Sequence, residues 1–200
     1  MPQPFVRAGD VWEFWKEPKQ HLVERKIRQI LDAGVTCITQ EWGHYSPELW
    51  RRFTRAVCVR HPIDRLYSDF LHAQGDGHLP KELTFHDWVW EERKGLQSSL
   101  FLDQIGNGDL ATALDVLQDF HVIIVQEHYA ETFDKMKRFG WNSTDAEKHF
   151  KSWTPRRTTT GRKVLAEHPH LIQRLSERCA ADIQIYNRAI ELALGIKPPA

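Results

Sequence analysis

The run R-H-P-I-D-R-L-Y-S-D-F, from Arg60 to Phe70, joins an apolar stretch ending at Val59 to a segment of helical character. Pro62 sets a turn, so Arg60 stands at the carboxyl end of a strand and Ser68 falls in the first turns of the following helix. Open α/β sheets bind ligands at that edge. A guanidinium there offers a fork of donors to a phosphate, and a helix N-terminus adds unpaired amides and the positive end of its dipole. The plainer reading makes Arg60 and Arg65 solvated charges partnered by Asp64 and Asp69. A second basic concentration lies at 148–163, with six Lys or Arg and no Asp or Glu. Thr158, Thr159 and Thr160 add hydroxyls, Gly161 permits close backbone approach, and Trp153 offers a ring on which an adenine could stack. His44 follows an apolar stretch and precedes a basic helical one. An imidazole at such a junction titrates near neutrality and can take a proton from a hydroxyl.

Arg60, Pro62 and Ser68 resemble the 3′-phosphate-binding motif of sulfotransferases that use 3′-phosphoadenosine 5′-phosphosulfate (PAPS). That motif is a strand-terminal Arg, a Pro two residues later and a Ser eight residues after the Arg. The resemblance implies that Arg60 and Ser68 bind the donor's 3′-phosphate. Trp42-Gly43-His44-Tyr45 is similar to a Gly-His element of the heparan sulfate and uronyl 2-O-sulfotransferase branch, which implies His44 as general base. Pro155-Arg156-Arg157-Thr158-Thr159 resembles that branch's Leu-Arg-Lys-Thr-Thr loop, which implies that Arg156, Arg157 and Thr158 cover the nucleotide. The runs 122–133 and 182–187 look like the family's late strand with its following Glu and its final helix. The family's Pro-Lys-x-Gly-x-Thr loop around the 5′-phosphosulfate is replaced by residues 15–22, without the glycine, where Lys19 is the nearest counterpart of the lysine. The resemblance implies a P-loop-nucleotide-binding-like sulfotransferase fold. It also implies PAPS as co-substrate, no metal, and a hydroxyl-bearing small molecule or glycan as acceptor. A non-catalytic module of this type, binding nucleotide or sulfated glycan, is the alternative, and a helical interaction domain anchored by Trp residues is a third reading.

The elements that would position these residues follow from periodicity. Apolar and β-branched runs at 35–39, 55–60 and 122–125 predict neighbouring strands, the last of a kind that a parallel sheet buries on both faces. An aromatic stretch at 11–15 suits an edge strand. Helices are expected at 18–33, 47–52, 63–73, 85–93, 109–118, 128–139 and, as one long closing element, 169–194. Alternation of short strands with helices predicts a three-layer α/β sandwich with a mostly parallel sheet, folded as one domain over residues 1–200.

Composition narrows the classes. The 27 basic and 27 acidic residues cancel, so no global field favours nucleic acid or an anionic membrane, and an anion site must be a local one. Cys37, Cys58 and Cys179 lack CxxC spacing, and two of them, inside apolar runs, read as small core residues in a reducing compartment. No His/Asp/Glu cluster has metal-ligand spacing. No run approaches the roughly 20 apolar residues of a membrane span, and the N-terminus lacks a signal-peptide pattern, so a soluble cytoplasmic protein is expected.

Overall fold

The computed structural model describes residues 5–6, 32, 37–38, 53–91, 105–106, 108–139 and 161–195. The chain divides into two compact units, Met1–Phe53 and Thr54–Ala200. In the first, strand β1 (Phe5–Val6) pairs in parallel with β2 (Cys37–Ile38), Phe5 opposite Cys37 and Val6 opposite Ile38. The helices expected at 18–33 and 47–52 and the strand at 11–15 lie essentially outside the described residues.

The second unit is mixed helix and strand around a parallel pair, β3 (Ala56–Val59) and β4 (Val122–Val125). Their register runs from Ala56 opposite Val122 to Val59 opposite Val125, so the two carboxyl ends lie side by side. Between them come α1 (Pro62–Gly75), α2 (Phe85–Glu91) and α3 (Leu110–Leu117). After β4 a single 3₁₀ turn, Gln126–His128, leads into α4 (Tyr129–Lys137). The chain closes with α5 (Gly161–Val164), α6 (Pro169–Arg178) and α7 (Ala180–Leu194). Among the described residues no helix is long and apolar enough to cross a membrane.

The parallel pairing and the helices between the strands agree with the α/β class expected from the sequence. The expected three-stranded neighbourhood needs correction: among the described residues β2 pairs with β1 and β3 pairs with β4, in two two-stranded sheets. The closing helix is also two helices, broken at the buried Cys179, where ψ moves to 13°. α6 packs on α2, and α7 packs on α3, α4, β4 and α1.

Local sequence accounts for the elements around the strand ends. Pro62 occupies the first turn of α1, where its missing N–H costs nothing. His61 before it holds extended backbone, φ −55° and ψ 128°, as residues preceding proline do. Asp109 caps α3 by accepting from the Thr112 amide at 2.7 Å. One face of α1 buries Ile63, Leu66 and Phe70 against Phe85 and Val89 of α2 and against Leu171 and Leu175 of α6. Phe70, Phe85 and Trp88 cluster at ring separations of 5.4–5.8 Å, the range in which aromatic pairs attract. A second cluster places Val122 of β4 against Phe133 and Met136 of α4.

Candidate functional site

The carboxyl ends of β3 and β4 carry the densest polar arrangement among the described residues. Parallel registration brings His61, two residues past β3, beside Glu127, two residues past β4. The His61 amide donates to Glu127 Oε1 at 2.9 Å. The second oxygen of the same carboxylate accepts from the Tyr186 hydroxyl of α7 at 3.0 Å. The Tyr186 ring in turn meets the His61 imidazole edge to face, centroids 5.2 Å apart. Burial, then the Glu127 charge, pushes the Tyr186 phenol well up, so it stays protonated and keeps donating.

In the first turn of α1, Asp64 is fully buried and takes three hydrogen bonds from a single residue 98 positions away. Arg162 gives its backbone amide to Oδ1 at 3.1 Å and its Nε and terminal nitrogen to Oδ2 at 3.0 and 2.7 Å. The contact exists because α5 lies against α1 at Gly161. A Cβ at that glycine would stand 2.7 Å from both the Ile63 carbonyl oxygen and the Tyr67 Cβ. Desolvation opposes the Arg162 charge, but Asp64, and after it Glu127 and Tyr186, hold the guanidinium even more firmly protonated than usual. His61 is driven the other way, first by burial and then by Arg162, against the pull of Asp64 and Glu127, so its imidazole is neutral at physiological pH. Its Nδ1 is buried without a hydrogen-bond partner among the described residues.

Arg60 and Ser68 stand where the sequence puts them: Arg60 immediately after β3, Ser68 in the second turn of α1, both half-buried. The Arg60 charge acts on Asp69 of α1, the residue after Ser68. Burial raises the Asp69 carboxyl, with Arg65 and Arg60 opposing the rise. Arg65 pairs with Asp69 across one helical turn at 3.3 Å, as in the plainer reading of these charges. Asp64 departs from that reading by pairing with Arg162. The other candidates, His44, Arg156, Arg157 and Thr158, and Lys19 with them, lie outside the described residues.

Glu127 and Tyr186 lie in the runs 122–133 and 182–187 that resemble the family, but the sequence assigns neither a role, and it does not reveal the Asp64–Arg162 link. Glu127 had a signal, since it is a charge directly after an apolar strand at a sheet's binding edge. Tyr186 had none. Among the described residues no group of three or more His, Cys, Asp or Glu is arranged to hold a metal ion.

Fold and site define a mixed α/β domain with parallel strand pairing and a charged, hydrogen-bonded cluster at the carboxyl edge. No family model matches the chain, and neither a curated protein nor a solved structure does.

Proposed function

We propose that the chain is a PAPS-dependent sulfotransferase of the carbohydrate type, with the three-layer sulfotransferase fold, acting on a hydroxyl of a sugar or small metabolite. The observation that carries the reading is the β3–turn–α1 unit, which has Arg60 at a parallel strand's carboxyl end and Ser68 on the adjoining helix. In this reading Arg60 and Ser68 hold the 3′-phosphate, the guanidinium as a bidentate fork and the hydroxyl as a single donor. Chain reach supports a role for the late basic segment. With Gly161 seated on α1, residues three to five positions earlier cannot lie more than about 11–18 Å from it even fully extended.

The reaction assigned is in-line transfer. The acceptor oxygen bonds to sulfur as the bond from sulfur to the bridging phosphate oxygen breaks, and adenosine 3′,5′-bisphosphate leaves with that electron pair. His44 takes the acceptor's proton, and Lys19 steadies the charge developing on the leaving oxygen. Like phosphoryl transfer, such a step asks the protein mainly for positioning and charge stabilisation.

Calorimetric titration with adenosine 3′,5′-bisphosphate tests the binding half. Arg60→Ala should cost about 2–3 kcal/mol of affinity, as loss of a charge-assisted contact does. Unchanged affinity removes Arg60 from the site. His44→Ala tests catalysis: it should lower transfer of labelled sulfate from PAPS by ~10²–10⁴ while leaving nucleotide affinity nearly intact. A parent protein that binds nucleotide tightly but sulfates no glycan or small hydroxyl compound is the non-catalytic module instead.

A further inference from the structure

We infer that Glu127 is a positioning residue that fixes the Arg60–His61 turn, and that nucleotide affinity depends on it although it carries the wrong charge to touch a phosphate. The inference rests on the reading of Arg60 as a phosphate ligand. Three facts carry it. The bond from the His61 amide to Glu127 Oε1 spans 66 residues and ties the backbone just beyond Arg60 to the end of the neighbouring strand. The carboxylate is itself held at its other oxygen by Tyr186, whose residue is buried in α7. The turn is otherwise set by Pro62, which has no amide to offer, so the His61 amide is the nearest donor by which the turn can be fastened.

A clamp of this kind governs where Arg60 points. The peptide joining Arg60 to His61 has its N–H committed to Glu127, which limits rotation about that peptide plane and so the direction in which Arg60 leaves β3. Without the clamp the turn samples more conformations, and a phosphate must order it on binding. Glu127 thus acts through the backbone, and its contribution is separable from its charge.

That separation defines the test. Glu127→Gln keeps an amide oxygen for the His61 N–H and an NH₂ for the Tyr186 oxygen, whereas Glu127→Ala keeps neither. Titrated with adenosine 3′,5′-bisphosphate, Glu127→Ala should bind about tenfold or more weakly than the parent, since the bond lost is to a charged group. Glu127→Gln should stay within about threefold of the parent, and Tyr186→Phe should fall between the two. Hydrogen exchange supplies a second readout independent of any ligand: the His61 amide should exchange faster in Glu127→Ala while the Leu66 amide in α1 keeps its protection. Parent-like affinity in Glu127→Ala, or equal losses in the Gln and Ala variants, overturns the positioning role. If the parent binds no nucleotide, the sulfotransferase reading fails on its own and exchange at His61 still decides the clamp: unchanged protection refutes it. Should Glu127→Ala not fold, Tyr186→Phe and Glu127→Gln carry the same two measurements.

Discussion

Gly161→Ala perturbs a place where α5 touches α1 without a side chain between them. Gly161 is buried, and its φ lies outside the left-handed region, so the glycine is needed for room and not for backbone conformation. An added methyl would stand 2.7 Å from the Ile63 carbonyl oxygen and 2.7 Å from the Tyr67 Cβ. Non-bonded carbons prefer about 3.5–4.0 Å, so roughly 1 Å must be recovered. Neither neighbour can swing away, because one is helix backbone and the other is fixed directly to it. Ile63 moreover belongs to the buried cluster of α1, α2 and α6. Overpacking of this kind costs ~1–3 kcal/mol. Alanine returns up to ~1 kcal/mol through its better helix propensity and smaller unfolded-state entropy. The steric cost prevails, with a net loss of about 1–2 kcal/mol. For a chain of this length that lowers the thermal midpoint by roughly 2–8 °C. The displacement also strains the bond from the Arg162 amide to Asp64, while the flexible guanidinium can follow its carboxylate. Gly161→Ala and Asp64→Asn should therefore be non-additive in a double-mutant cycle, as neighbouring sites are. The assay is thermal unfolding of the two single variants and the double variant. A Gly161→Ala midpoint equal to or above the parent's would refute the close seating of α5 on α1, and with it the bound on how far Arg156 and Arg157 can lie from that helix.

Two further predictions concern the strand pair. Thr132 is fully buried, accepts the Val125 amide at 3.1 Å and donates to the His128 carbonyl at 2.9 Å. Thr132→Val keeps the shape but leaves both backbone groups without that hydroxyl, a loss of about 1–3 kcal/mol readable by urea unfolding; a neutral result would mean that both groups find other partners. On β3, Cys58 is open over its residue surface, yet desolvation at the sulfur, reinforced by the Glu127 charge against that of Arg60, pushes its thiol up to about 11. At pH 8 its thiolate fraction, and so its alkylation by iodoacetamide, should fall roughly a hundredfold below a free peptide thiol. A peptide-like rate in mass-resolved labelling would show that the open surface governs the sulfur.

What could be read from the sequence follows from the range of the interactions concerned. The 122–125 strand and the helix beginning at Pro62 were legible because short-range features specify them: an apolar run bounded by polar residues, and a proline at a first turn. The break at Cys179 was not. No glycine or proline marks it, and i→i−4 bonds continue on both sides, from the Cys179 amide to the Leu175 carbonyl and from the Ile183 amide to the Cys179 carbonyl. Strand pairing depends on partners far along the chain, which is why residues 35–39 were grouped with β3 when Cys37–Ile38 pairs with Phe5–Val6.

The charges at the site show the same division. Consecutive helix residues diverge by about 100°, so Asp64 and Arg65 cannot share a face. Arg65 turns to Asp69 one turn along, a pairing that spacing alone suggests. Asp64 turns inward, and a carboxylate removed from water needs a charged partner. The sequence offers 27 cations, and only the path of the chain between α1 and α5 selects Arg162. Glu127 is chosen in the same way, by a parallel register that sets the residues after Val59 beside those after Val125. Sequence thus exposes Arg60 and Ser68, the residues that the proposed reading gives to a phosphate, because their motif is local. Glu127 and Asp64 are instead joined to partners from far along the chain, so on the proposed reading a substitution at Glu127 should reach a bound phosphate through the His61 backbone, without any contact of its own with it.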